Sequence, residues 1–140
     1  MDEQWWRQLV GGVPARPAVL GVVRTDGRAH LTPVWTDLEG DDIVFMTSAD
    51  TVKGKAILRD PRVTLCWQDD RPPFSFVQIS GTATTSTEPA ELLVWATRIG
   101  GRFMGAELAE AYGRRNAVPP EMVVRVRIDR VVARRDVAAF

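Results

Sequence analysis

Residues 17–48 read PAVLGVVRTDGRAHLTPVWTDLEGDDIVFMTS, and this stretch decides the fold. Residues 17–24 and 29–38 are two β-favouring runs. Between them lies Thr25-Asp26-Gly27-Arg28, and Asp-Gly is the preferred pair for a tight hairpin turn. A third run, 43–48 (IVFMTS), follows the turn signal Glu39-Gly40-Asp41-Asp42. The pattern predicts three antiparallel strands.

Working outward, residues 3–11 read as a short helix carrying Trp5, Trp6, Leu9 and Val10, closed by Gly11-Gly12. Downstream, 50–59 (DTVKGKAILR) has a helical pattern, with Asp50 as N-cap and Asp60-Pro61 as the stop. A strand at 62–68 sets Val63, Leu65 and Trp67 on one face, and Arg71-Pro72-Pro73 leads rigidly into a strand at 74–86. From about 88 to 103 the apolar positions Leu92, Trp95, Ala96 and Ile99 follow helical spacing. Thr87 is the expected cap of this helix, and Gly100-Gly101 is expected to weaken its end before a short helix at 105–114. The last strand, 121–134, alternates Met122, Val124, Val126 and Ile128 against Val123, Arg125, Arg127 and Asp129. The expected fold is mainly β with short helices, one domain over 1–140. Its six antiparallel strands are expected to close into a small barrel, since closure removes unpaired edges. An open β-sandwich is the other architecture this pattern allows.

Composition narrows the function. Hydrophobic residues make up 45% and charged residues 26% of the 140, the balance of a globular domain. A formal net charge of zero argues against nucleic acid or an anionic membrane as partner. Cys66 is the one cysteine, and its apolar run Val63-Thr64-Leu65-Cys66-Trp67 predicts a buried, inert thiol. With one Cys and one His, a zinc site would need a carboxylate cluster, and none stands out. The segment Met1-Asp2-Glu3-Gln4-Trp5-Trp6 lacks the marks of a signal peptide, and no stretch is long and apolar enough to span a bilayer. A cytoplasmic protein is expected.

No phosphate loop, HExxH or Ser-His-Asp set is present, and His30 stands alone on a strand. An enzyme whose cofactor carries the chemistry needs none of these, so no catalytic side chain is assigned. Sixteen of the eighteen basic residues are arginine, and the two lysines are Lys53 and Lys55. They belong to Thr47-Ser48-Ala49-Asp50-Thr51-Val52-Lys53-Gly54-Lys55, where a strand ending in hydroxyls feeds a helix start. Free amides, hydroxyls and a lysine there suit a phosphate, although an ordinary capped helix has the same spacing. Lys53, in the first turn, reaches an anion at that terminus. Lys55 lines up with Arg59, facing either a second anionic group or solvent. In Leu31-Thr32-Pro33-Val34-Trp35-Thr36 the proline predicts an edge or a bulge. Trp35 beside it is either a platform for a flat aromatic ligand or plain core.

Taken in order, GVVRTDGRAHLTPVW, IVFMTSADTVKGKAILRDPRVTLCW, PPFSFVQISGTA and TRIGGRFMG resemble the split-β-barrel flavin and deazaflavin oxidoreductases. They are similar above all to the actinobacterial, coenzyme F420-dependent branch of the pyridoxamine-phosphate-oxidase-like superfamily, over most of residues 17–113. The resemblance implies a homodimer with cofactor sites at the subunit interface. It implies that Lys53 and Thr47-Ser48, with Thr51 and Val52 of the same turn, hold the cofactor phosphate, and that Pro33, Val34 and Trp35 lie along the ring. Lys55 and Arg59 would then meet an oligoglutamate tail. The implied reaction is hydride transfer from reduced F420 to an electron-poor organic acceptor, with Trp5, Trp67 and Phe74 either substrate contacts or core. An FMN-dependent enzyme of the same fold, or a non-catalytic F420 carrier, are the rival readings.

Overall fold

A computed structural model describes residues 4–140, and in it seven antiparallel strands form one sheet. In chain order they are β1 (Ala18–Val23), β2 (Ala29–Val34), β3 (Asp37–Glu39), β4 (Asp42–Ser48), β5 (Arg62–Asp69), β6 (Ser75–Ser86) and β7 (Glu121–Arg134). The helices are α1 (Arg7–Gly11), α2 (Val52–Arg59), α3 (Pro89–Met104) and α4 (Ala109–Asn116), with a 3-10 turn at Ala106–Leu108 between the last two. Across the sheet the order is β2-β1-β5-β6-β7-β4-β3. A single sheet sets aside the sandwich.

The seventh strand comes from a break inside the run expected to be one strand at 29–38. Its two parts, β2 and β3, lie on opposite rims of the sheet, joined only by Trp35 and Thr36. Three peptide steps span at most about 11 Å, so the rims must approach there and the sheet curls back on itself. Pro33 sits on the rim strand β2, paired with Val19, where no neighbour needs its missing N–H. The β1–β2 turn is closed by Gly27, whose φ of +87° favours glycine.

Alternation supplies the core. Leu20, Phe45, Leu65, Trp67, Val77, Ile79 and Val124 are fully buried on the inner face. Each such side chain contributes about 1.5–3 kcal/mol by leaving water. The Trp67 indole nitrogen donates to the Thr36 hydroxyl at 3.1 Å, so this large core residue also fastens the link between the rims. Arg102 fastens the link from outside. It donates to the carbonyls of Thr36 (3.1 Å), Gly11 (2.9 Å), Gly12 (2.8 Å) and Val10 (3.1 Å). Burial pushes its guanidinium pKa down, with the Asp37 carboxylate opposing.

A second apolar cluster forms on the outer face, where Val44 and Val123 receive Leu92, Trp95 and Ile99 of α3. Val123 is therefore buried, against the expected outward alternation of β7. Arg127 and Asp129 do face outward, and Arg125 bridges Glu39 (2.8 Å) and Glu91 (2.6 Å).

Both expected caps shift by one residue. Thr51, not Asp50, caps α2: its hydroxyl accepts from the Gly54 N–H at 3.1 Å. Glu88, not Thr87, caps α3, its carboxylate accepting from the N–H groups of Ala90 (3.1 Å) and Glu91 (2.9 Å). Helix α3 runs on through Gly100-Gly101 to Met104, one residue past the expected end. A Cβ on Gly100 would collide with Tyr112, and one on Gly101 would crowd Ala109, so the pair is where α4 packs. The first helix begins at Arg7, with Trp6 buried ahead of it; the start expected at Glu3, and Met1-Asp2-Glu3, lie outside the described residues. Cys66 points away from Val63, Leu65 and Trp67 and is half-buried on the outer face rather than in the core. Burial pushes its thiol pKa up, which disfavours a nucleophilic thiolate. Among the described residues no helix is long and apolar enough to cross a membrane, and no cluster of three His, Cys, Asp or Glu is placed to hold a metal.

Candidate functional site

Strand β4 ends in Thr47-Ser48 and turns into α2 through a compact hydroxyl network. The Thr51 hydroxyl donates to the Ser48 carbonyl at 2.8 Å while accepting from Gly54, so its proton is committed. Thr47 lies 3.0 Å from Thr51 and must therefore be the donor of that pair. Ser48 differs: its oxygen accepts from the Asp50 N–H at 3.1 Å, leaving its own proton available. Ser48, with the first-turn amides of Val52 and Lys53, is thus the set of donors presented at this corner. Thr51 also accepts, through its carbonyl, the Lys55 N–H at 2.9 Å.

Gly54 explains the Lys-Gly-Lys spacing. A Cβ there would collide with the Ser48 carbonyl, so α2 touches the end of β4 at this residue. The contact sends the flanking lysines to different places. Lys53 is half-buried and lines a cavity, whereas Lys55 is exposed and does not line it.

That cavity has a volume of about 320 Å³ and lies between β2, β4 and the α3–α4 pair. It unites Pro33, Val34, Trp35, Thr47, Ser48, Thr51 and Lys53 from the sequence reading. Val52 is exposed beside it and Arg59 is remote, donating to the Val23 carbonyl at 2.7 Å. Trp35 serves in both ways left open for it: it lines the cavity and packs on the outer apolar cluster. Its ring stacks on Phe103 (5.3 Å between centroids, 3° between planes) and meets Tyr112 edge-on at 5.8 Å. Trp5 and Phe74 lie away from this cavity and Trp67 is core.

Met46, Ala96, Ile99, Gly100, Asn116 and Glu121 also line the cavity and were not anticipated as site residues. Ala96 and Ile99 read only as helix core. Glu121 and Asn116 carry no local signal, and β-pairing brings Glu121 opposite Ser48. Burial pushes the Glu121 carboxyl pKa up, while the charge of Lys53 pulls it down. The cavity accordingly has an apolar, aromatic end at Pro33–Trp35 and a polar end at Ser48, Lys53 and Glu121. This is the layout of a site for a flat aromatic ligand carrying an anionic group. A larger hollow of about 580 Å³ over β1, β5 and β6 has no such polarity. Its charged groups are already matched, Arg62 to Asp60 at 2.8 Å and Asp129 to Thr82 at 2.7 Å.

The family profile described as pyridoxamine 5'-phosphate oxidase matches residues 11–135. No curated protein gives a significant match. Among solved structures, a conserved hypothetical protein from Mycobacterium tuberculosis is similar, with a TM-score of 0.82 at 24% identity over 97% of this chain and 86% of the other. A protein described as an F420 reductase aligns with a TM-score of 0.71 at 18% identity, over 94% of this chain and 98% of the other. General stress protein 26 from Bacillus anthracis aligns with a TM-score of 0.65 at 16% identity, over 91% and 89%. At these identities the likenesses speak for the fold.

Proposed function

Because the chain belongs to the pyridoxamine 5'-phosphate oxidase family, we propose that it is an oxidoreductase whose cavity holds coenzyme F420. In this reading the substrate is an electron-poor organic acceptor. One observation carries it: Ser48 and Lys53, at the turn from β4 into α2, line the same cavity as the apolar Pro33–Trp35 segment. When bound, the deazaflavin supplies the hydride, so no acid–base side chain is required of the protein.

The residues present fit such a group. Gly100 lines the cavity while its missing side chain lets α4 pack close behind it through Tyr112. Trp35, held flat by Phe103, forms an aromatic wall, and Ile99, Ala96 and Val34 keep water from it. Lys53 and Ser48 fix the phosphate end, which orients the ring and the acceptor laid against it. Lys55 is exposed two residues beyond Lys53 and outside the cavity, and in this reading it meets a polyanionic tail that leaves the pocket. Arg59 is engaged with β1 and contributes less to that contact.

The same reading has two copies pair in the cytoplasm through the outer face of the curled sheet. Val19, Val23 and Leu31 are exposed there on β1 and β2, next to the rim that carries Pro33. A second copy would cover this stripe and close the open side of the cavity.

Titrating the protein with F420 and with FMN, following absorbance and fluorescence, tests the cofactor. Tighter binding of F420 is expected. Tighter binding of FMN would replace the deazaflavin with a flavin in the same site. Turnover of quinone or nitroaromatic acceptors by the reduced cofactor distinguishes an enzyme from a carrier.

A further inference from the structure

Among the described residues Lys53 and Glu121 are the only two charged side chains lining the cavity, so the formal charge of that lining is balanced before any ligand enters. They come from different elements: Lys53 from the first turn of α2 and Glu121 from the first position of β7, opposite Ser48 in the ladder. Glu121 therefore sits at the polar end, beside the groups suited to a phosphate. A carboxylate in an anion cradle needs an explanation, and the neighbouring lysine alone does not give one.

We propose that Glu121 is a specificity-determining residue that makes this cavity accept a phosphodiester and reject a phosphomonoester. The proposal rests on reading the cavity as a phosphate-ended cofactor site. A phosphomonoester carries between one and two negative charges at neutral pH, its second proton leaving near pH ~6. A phosphodiester has one ionisable oxygen and carries a single charge. Lys53 matches that single charge. The second charge of a monoester would meet no further cation in the lining, only the partial charge of the α2 terminus, about half a unit. It would also lie beside the Glu121 carboxylate, half-buried where solvent screens poorly.

Donor counting points the same way. The Thr47 and Thr51 protons are committed within the turn, leaving Ser48 as the one hydroxyl donor of the three. A diester, with two non-bridging oxygens, is served by Ser48, Lys53 and the free amides. A monoester presents a third terminal oxygen; the Asn116 amide is the one neutral side-chain donor left in the lining, and an oxygen set against Glu121 itself is bonded only if that carboxyl takes up a proton. Lys53 is the one charged group facing Glu121 across the cavity; Ser48 on β4 and Asn116 on α4 are neutral. Monoester binding should therefore carry a proton with it, and diester binding should not.

Two ligand pairs separate this from the identity of the ring: FMN against its phosphate methyl ester, and the deazaflavin 5'-phosphate against F420. The wild-type protein should prefer the diester of each pair by at least about tenfold, the low end for one unmatched like-charge contact. Glu121→Gln should strengthen monoester binding and erase most of that preference, changing diester affinity by no more than about threefold. Without any variant, lowering the pH from about 7.5 to about 5.5 should tighten binding of the monoesters while the diesters stay level. Equal affinity within both pairs in the wild-type protein, or an equal effect of Glu121→Gln on both members, would overturn the proposal. If the flavin pair outbinds the deazaflavin pair, the F420 reading falls while ester preference is still read within the flavin pair. Binding of none of the four compounds overturns both.

Discussion

Gly54 lies against the Ser48 carbonyl so closely that a Cβ on residue 54 would collide with it. In an exposed helix, glycine to alanine gains about 1 kcal/mol. Here the obstacle is backbone, which cannot swing aside as a side chain does. Gly54→Ala should therefore destabilise the protein by about 1–3 kcal/mol and move α2 off β4. Urea denaturation measures the first effect, and weakened cofactor binding reports the second. A stabilised variant would contradict the contact.

Lys53→Ala should weaken phosphate-bearing cofactors by about 2 kcal/mol, roughly thirtyfold in Kd, through loss of a charge-assisted hydrogen bond. Lys55→Ala, removing an exposed lysine outside the cavity, should change the affinity for FMN by less than about threefold. Fluorescence titration of the two variants side by side checks both. Equal losses would move the anion site outward along α2.

Arg102→Lys should destabilise the fold despite keeping the charge, by about 2–4 kcal/mol. A lysine cannot reach four carbonyls spread over the end of α1 and Thr36, and those left without a partner are partly buried. The midpoint of chemical denaturation reads this loss. Because the acceptors are neutral carbonyls, raising the salt concentration should not mimic it.

Acid should loosen the exposed carboxylates in a definite window. Hydrogen bonds from Arg62 and Arg71 hold Asp60 and Asp69 each at about 2, below their ordinary 3.8. Their contribution is thus complete above pH ~4 and is lost as pH falls through about 2. Asp60→Asn with Asp69→Asn should flatten that limb of a stability-versus-pH curve. Glu121 has the opposite sign: burial raises its pKa, so its ionisation opposes folding at neutral pH. Glu121→Gln should raise the stability of the ligand-free protein at pH ~7 and leave it unchanged near pH ~4.

The sequence makes the strands legible because their alternation is set by burial, and β4, β5 and β7 fall within a residue of expectation. It does not show the break at Trp35-Thr36, since both residues are good strand formers. Only the curl of the whole sheet, with Trp67 reaching Thr36, interrupts the run. Asp50 and Thr51 are both competent caps, and the choice falls to Thr51 through its partner Thr47, a contact four residues back. Gly100-Gly101 reads as a weak point near the end of α3 until Tyr112 and Ala109 are seen against it. In the site, the contiguous segment around Lys53 and the Pro33–Trp35 run are visible as local patterns. Glu121 and Asn116 are not, because they enter the cavity only when β7 pairs with β4 and α4 folds back on α3.

The two rims of the sheet bear on how the protein behaves when crowded. An unpaired rim is a template on which a foreign strand can extend a ladder, the first step toward aggregation. Here β2 lacks a donor at Pro33, and β3 offers only the three residues Asp37–Glu39. Strand-by-strand growth is therefore poorly supported, while the exposed valines and leucine of β1 and β2 still favour association. If copies of this chain pair as proposed, they should meet face to face rather than edge to edge, as a closed pair instead of a growing fibre.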